Sequence, residues 1–377
     1  MGFGMERSRI AYSTSKDTNV AIYEIKKQIS VNDEGVAPKL IFFTSDYLNF
    51  SWFSRHLSQS FPDSCVIGMS SYVVFSTNGY SKSAVSAMAI YSGIEYSDGI
   101  ILEINRYPMR YKQTIIDAMV KLSDYENTCC FEFSTAFSRG EELVMDTFRS
   151  VLKSKNIPIF GGTAGAPDGV NASFVSLNGI VYNDACAFVL IKNLEGKIGV
   201  YRENMFKSTG NYFVATDVDC DARKVYEFDN KPAVVAVANA LGVPVSKISG
   251  FLPMHPIGRV DRDNVYITEH DTANPDGSMS YFARIYNYTK LVLLEADDPK
   301  SVWRKTYDRV KNDYPNPSFS IVINCCSRSK YFYEKNIMSD FCDQLKDHYG
   351  NYLGFSGYGE QTDFEHLNQT MLIAVFE

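Results

Sequence analysis

No run of the sequence approaches the ~18 uninterrupted apolar residues that a membrane-spanning helix needs, and Met1–Ile10 carries Glu6, Arg7 and Arg9 where a signal peptide would carry an apolar core. Secretion and membrane insertion are thereby disfavoured, and a cytoplasmic protein is expected. Basic residues are in deficit: 37 Lys and Arg against 44 Asp and Glu give a formal net charge of -7. The cations are scattered singly, with no stripe to displace counterions from phosphates, so nucleic acid is not an expected partner. Histidine is scarce, five in 377 residues, and neither H-E-x-x-H nor a Cys–His spacing suited to a metal occurs. The eight cysteines include the vicinal pairs Cys129–Cys130 and Cys325–Cys326 but no CxxC. Covalent haem is excluded on that spacing, and reduced thiols are expected.

What the sequence does contain is an ordinary globular balance, 45% hydrophobic and 21% charged residues, over a length that exceeds one growing core and predicts two domains. Three stretches share a plan of strand, polar loop, helix, strand, turn and final strand. The first opens at Leu40 (LIFFTSDYLNF), the second at Cys129 (CCFEFSTAFSRG) and the third at Ser320 (SIVINCCSRSK). The opening runs are β-branched or aromatic, as buried strands are, and Leu143, Val144, Phe148, Val151 and Leu152 recur at helical spacing behind Gly140. The expected fold is α/β, with mixed sheets from repeated strand-helix-strand-strand units in two closely packed domains, residues 1–218 and 219–377. Tyr182–Val200 reads as a hairpin turning at Glu195–Gly196, a helix is expected from Lys231–Pro232 to Leu241–Gly242, and another behind Asp297–Asp298–Pro299.

Parallel strands joined by a helix bring their carboxyl ends to one edge, where ligands usually bind. Here that edge would carry Thr44, Ser45 and Asp46, then Ser134 and Thr135, then Cys326, Ser327 and Arg328, faced by turns at 68–71, 161–165 and 354–361.

These residues carry a family resemblance. GGTAG at 161–165, ACAFVLI at 185–191, HPIG at 255–258, GFSGYGEQ at 354–361 and HLNQT at 366–370 resemble the FIST domain in its N-terminal plus C-terminal form, over roughly residues 38–377. The resemblance implies an intracellular sensory module of signal transduction that binds a small ligand such as an amino acid and acts through a separate partner protein. Some relatives look like haem-binding nitric-oxide sensors.

The residues themselves offer several chemistries. The turn expected at Gly161, Gly162, Thr163, Ala164 and Gly165 would present backbone N–H groups to a carboxylate or phosphate, or else be a tight turn between packed strands. Gly359, Glu360, Gln361, His366, Asn368 and Gln369 gather polar groups beside an apolar strand, where each needs a partner or a ligand. Glu360 suits an ammonium and Arg328 a carboxylate, the pair an amino acid requires, unless the two neutralise each other. His255, between two prolines on what reads as a stiff extended segment, is either a structural imidazole or a haem ligand. A Cys325 or Cys326 nucleophile served by His255, His270 or His366 is the enzyme alternative, without a local signature to support it. The expectation is a non-catalytic sensor with no cofactor and no bound metal.

Overall fold

The computed structural model describes residues 6–32, 35–261 and 264–377, so Met1–Met5 of the amino-terminal segment lie outside it. The chain opens with β1 (Ser8–Ser13), α1 (Thr18–Ile29), β2 (Leu40–Ser45), α2 (Phe50–Ser60), β3 (Cys65–Ser70), the short pair β4 (Val74–Ser76) and β5 (Gly79–Ser81), and β6 (Val85–Ile90). The same order then recurs as β7 (Ile94–Leu102), α3 (Lys112–Met119), β8 (Thr128–Ser134), α4 (Glu141–Leu152), β9 (Ile159–Thr163), β10 (Val175–Leu177), β11 (Ile180–Tyr182) and β12 (Ala185–Asn193).

A third repeat begins with β13 (Ile198–Asn204) and is interrupted. The chain passes through β14 (Phe206–Asp219), β15 (Lys224–Phe228), β16 (Lys231–Pro232), α5 (Ala233–Leu241), β17 (Ile257–Asp261), β18 (Asn264–Thr268), β19 (His270–Ala273), β20 (Met279–Tyr281) and β21 (Lys290–Ala296). It then resumes the repeat with α6 (Pro299–Asp313), β22 (Phe319–Cys325), α7 (Cys326–Glu334), α8 (Met338–His348), β23 (Asn351–Gly357), β24 (Gly359–Thr362), β25 (Glu365–Leu367) and β26 (Thr370–Phe376). Two compact units result: one holds residues 1–202, 306–365 and 371–377, the other residues 203–305 and 366–370.

Within the first unit each repeat builds a six-stranded sheet and lends its hairpin to another. The orders are β1-β6-β2-β3-β10-β11, β25-β24-β9-β8-β12-β7 and β13-β26-β22-β23-β4-β5. In each, a central strand (β2, β8, β22) runs parallel to the next strand of its repeat (β3, β9, β23) and antiparallel to the closing one (β6, β12, β26). The hairpin of the first repeat pairs with β23 of the third, that of the second with β3 of the first, and that of the third with β9 of the second. No sheet is complete from its own repeat, so the three must fold together.

The inner faces share one core. Phe42 lies 5.7 Å from Phe131, and Phe133 lies 4.8 Å from Phe355, ring centre to ring centre, and all four are fully buried. Each such ring contributes roughly 1.5–3 kcal/mol by leaving water. Helices cover the outer faces: α1 and α2 bury Ile22, Ile25, Phe53 and Leu57 on the first sheet, and α4 buries Val144, Phe148 and Leu152 on the second. Helix starts follow the sequence, with Asp17 accepting from the Asn19 N–H at 2.8 Å and Asp298 from the Ser301 N–H at 2.8 Å.

The second unit is a sheet of order β18-β17-β21-β14-β15-β20-β19 with β16 beside β15. Its core packs Val234, Val237 and Ala238 of α5 against Phe213, Val225, Phe228 and Leu293. Helix α5 ends at Gly242, whose φ of 68° supplies the left-handed cap.

Three local expectations are corrected. Tyr182–Val200 is not a hairpin: the chain does turn at 194–197, but β12 joins the second sheet and β13 the third. Gly161–Thr163 are not a turn but part of β9, because glycine there lets the strand pass close to its neighbours. Cys326–Lys330 is not a polar loop but the start of α7.

Candidate functional site

The carboxyl ends of the parallel strands converge, held by hydrogen bonds that run from repeat to repeat. The Gly165 N–H donates to the Ser70 carbonyl at 2.8 Å, the Tyr72 N–H to the Ser356 carbonyl at 2.9 Å, and the Tyr358 N–H to the Thr163 carbonyl at 2.9 Å. Side chains reinforce the ring: Ser70 Oγ donates to the Gly165 carbonyl at 2.7 Å, and Ser71 Oγ accepts from the Ser356 N–H at 2.7 Å. The approach is close enough to require glycine. A Cβ on Gly165 would lie 2.2 Å from the Ser356 oxygen, and one on Gly357 2.2 Å from the Thr163 oxygen.

Around this ring the fold concentrates buried polar side chains. Thr44, Ser45, Ser134, Thr135, Asn324, Arg328, Ser329, Glu360 and Gln361 are all fully buried. Asn324 donates from Nδ2 to Ser329 Oγ at 2.9 Å, and Ser329 and Ser356 share a hydroxyl contact of 2.8 Å. Arg328 sits in the first turn of α7, near the end of β22, with its guanidinium 5.6 Å from the Phe332 ring. Gly359, Glu360 and Gln361 stand opposite Thr163, Gly162 and Gly161 across β24 and β9. Side chains alternate along a strand, so Glu360 and Gln361 leave the sheet on opposite faces. Gln361 Nε2 donates to Thr163 Oγ1 at 2.8 Å.

The remaining sequence candidates lie in the second unit. His366 and Asn368 are buried, and Asn368 Oδ1 accepts from the Glu269 N–H at 3.3 Å. His255 is half-buried and ends a short 3-10 turn, Leu252–Met254, rather than lying on an extended run. Its Nδ1 lies 2.8 Å from the Phe251 carbonyl, and its own carbonyl accepts from His270 Nε2 at 3.1 Å. Burial drives His270 down to about 3, against only partial support from the His255 carbonyl. It is therefore neutral near pH 7 and a poor base, since general-base work favours a pKa near the working pH.

One residue of chemical interest escapes the sequence motifs. Glu132, in β8, is fully buried; its Oε2 accepts from Ser134 Oγ at 2.8 Å and Cys186 Sγ at 3.2 Å, while Oε1 has no hydrogen-bond partner. Burial pushes its carboxyl up to about 8, outweighing those two hydrogen bonds, with the Glu141 charge adding to the rise. In the parallel pair of every repeat (β2–β3, β8–β9 and β22–β23) a glycine faces a side chain: Gly68 opposite Phe43, Gly161 opposite Glu132, and Gly354 opposite Val322. A carboxyl thus occupies a position that is apolar in the other two repeats.

Residues 39–231 match the FIST N domain and residues 233–363 the FIST C domain. The chain belongs to the FIST family. FIST domains are sensory domains of signal transduction. The chain is also similar to the uncharacterized protein MJ1623 of Methanocaldococcus jannaschii, 25% identical over 319 residues, a match covering 76% of this chain and 59% of that protein. It therefore spans less than two thirds of that relative's length. Among the described residues of this FIST protein, no helix is long and apolar enough to cross a membrane.

Proposed function

We propose that this FIST protein is a non-catalytic sensor of a small polar metabolite, an amino acid being the class that fits best, which passes its signal to a separate partner protein. Arg328 would engage the carboxylate and Glu360 the ammonium. The observation that carries the reading is the complete burial of Arg328 and Glu360, charges of opposite sign, close to the ring of strand ends. A guanidinium pairs with a carboxylate and a carboxylate with an ammonium, so the two side chains together suit a zwitterionic ligand.

Neither side chain has exposed surface, so a ligand must displace protein to reach them. Binding then favours one arrangement of the chain over another, which is what a sensor requires. Gly161–Gly165 would shape the site by close packing rather than by offering N–H groups. Their chain path is already committed to neighbouring strands.

Thermal denaturation against the twenty amino acids tests the proposal. A ligand at ~100 times its Kd adds about 2.7 kcal/mol and raises Tm selectively. Arg328→Gln and Glu360→Gln, checked for native circular dichroism, are expected to weaken that ligand at least tenfold. Equal affinity in both folded variants would refute the assignment.

A further inference from the structure

We infer that residues 167–172 form a strap across the mouth of the ring of strand ends, latched by an ion pair between Asp168 and Lys330 and able to open without disturbing the sheets. The connection that leads into the exchanged hairpin is residues 71–73 in the first repeat and Tyr358 alone in the third, but it runs from 164 to 174 in the second. One repeat of the three therefore carries an insertion, and it lies at the edge where the carboxyl ends of parallel strands meet and ligands enter. As a gate for a ligand, the strap rests on the reading of that ring as the ligand site.

Both feet of the insertion stand on the ring. At one, the Gly165 N–H donates to the Ser70 carbonyl and the Tyr358 hydroxyl to the Ala166 carbonyl, each at 2.8 Å. At the other, Ser173 Oγ accepts from the Ala136 N–H at 2.8 Å and the Phe174 N–H donates to Ser70 Oγ at 3.0 Å. Between the feet the chain reverses in a turn, with the Val170 N–H donating to the Pro167 carbonyl at 3.2 Å and Gly169 at φ of 80°, the left-handed value that the third position of a type II turn requires. Ala166 and Ser173 are buried, whereas Pro167, Asp168, Gly169 and Asn171 are exposed. A segment that buries so little between fixed ends opens at a lower cost than the strands that carry it.

The tip is tied down by the other two repeats. Asp168 Oδ1 pairs with Lys330 Nζ of α7, in the third repeat, and Oδ2 accepts from the Tyr72 hydroxyl of the first at 3.4 Å. Lys82 Nζ donates to that hydroxyl at 2.8 Å and so polarises it toward Asp168. The Asp168 and Lys330 side chains keep 65% and 38% of their surface in water, so the pair is weak and salt-screened, as a releasable latch must be. Cys326 stands one helical turn before Lys330, on the same face of α7, and its thiol lies close enough to Lys330 and Tyr358 to act on both electrostatically. It is buried, and its accessibility reports whether the strap is open.

Iodoacetamide labelling of the full chain, with modification at Cys326 quantified by peptide mass spectrometry, tests the latch without any ligand, so its outcome is separate from that of the ligand assignment. Asp168→Asn and Lys330→Gln, each checked for native circular dichroism and Tm, are expected to raise the labelling rate about two- to fivefold, the range that loss of one surface ion pair allows. Lys330→Arg keeps the pair and is expected to label like wild type. The two neutralising variants change the charge beside the thiol in opposite senses, the first removing an anion and the second a cation, so a rise in both reports opening rather than a change in thiol reactivity. Amide hydrogen exchange in the 164–174 peptide is expected to quicken by a similar factor in both. The inference is overturned if the two variants shift Cys326 labelling in opposite directions or leave it unchanged, or if Cys65, buried at the far end of β3, gains as much label as Cys326.

Discussion

Replacing Glu132 with glutamine should change how the stability of this FIST protein depends on pH. The carboxyl is fully buried, titrates near 8 in the folded chain, and titrates near 4.3 in an unfolded one. Between those values the folded state keeps a proton that the unfolded state has lost, so stability is greatest below about pH 4.3. It falls as pH rises toward 8 and is flat above. At about 1.4 kcal/mol per pH unit the loss reaches roughly 4 kcal/mol by pH 7 and approaches 5 kcal/mol above pH 8. Glutamine can still accept from Ser134 and Cys186, but it takes up no proton. Any misfit of its amide is a constant offset, whereas the proton term is a slope. The assay is urea denaturation of wild type and Glu132→Gln at half-unit steps from pH 5 to 8.5. The difference in unfolding free energy is expected to shift toward the variant by about 3–4 kcal/mol across that range. A difference that stays constant with pH would refute the argument, since it would mean that Glu132 is solvated or charge-compensated in the folded state.

His270 supplies the opposite dependence: with a folded pKa of about 3 against ~6.5 unfolded, stability contributed by the neutral ring is present above about pH 6.5 and is lost as pH falls toward 3. Limited proteolysis at pH 4 is expected to cleave within 203–305 before the first unit, and a cleavage pattern independent of pH between 4 and 7 would contradict this. Gly161→Ala places a Cβ 2.1 Å from Glu132 Oε1 and 2.5 Å from the Glu132 backbone oxygen; it should cost several kcal/mol or prevent soluble expression. Gly169→Ala meets nothing within 4 Å but sits at φ of +80°, so it should cost only about 1 kcal/mol in Tm or denaturant midpoint. Among the eight thiols only Cys220 is partly exposed; titration with a thiol reagent should show one fast group in the native protein and eight in denaturant.

The repeats were legible because a strand buried on both faces reads as a nearly continuous apolar run, as in Leu40–Phe43 and Ile321–Ile323. Their edge strands were not: β7 and β13 are only half-buried over most of their length, so their composition resembles that of loops. The exchanged hairpins were equally hidden, because β4, β5, β10 and β11 are three residues each and their partners are set by tertiary pairing. Nothing in the composition near residues 202 and 306 marks where the third repeat is left and resumed. The placement of Arg328 beside the end of β22 followed from the repeat plan, whereas Gly359–Gln361, expected in a turn over 354–361, belong to β24. The burial of Glu132 did not follow from it. In CCFEFS it looks like the polar half of an alternating strand, and only the helix layer over β8 and the register with Gly161 show that it is buried.

The glycines explain why the GGTAG segment misleads. A glycine is needed either for a positive φ or for an approach too close for a side chain, and a sequence does not distinguish the two. Gly161, Gly162 and Gly165 all serve the second need: none has positive φ, and a Cβ on each would lie 2.1, 2.8 and 2.2 Å from Glu132 Oε1, Ile323 Cγ2 and the Ser356 oxygen. Close approach has a chemical corollary. Strands this near one another pair their backbones, and β9 is paired on both sides, with β8 and β24, while the Gly165 N–H is engaged by Ser70. Backbone donors in that segment therefore serve the sheets. An anionic group arriving at the strand ends must find its counter-charge on a side chain, the role proposed above for Arg328, which is buried at the start of α7.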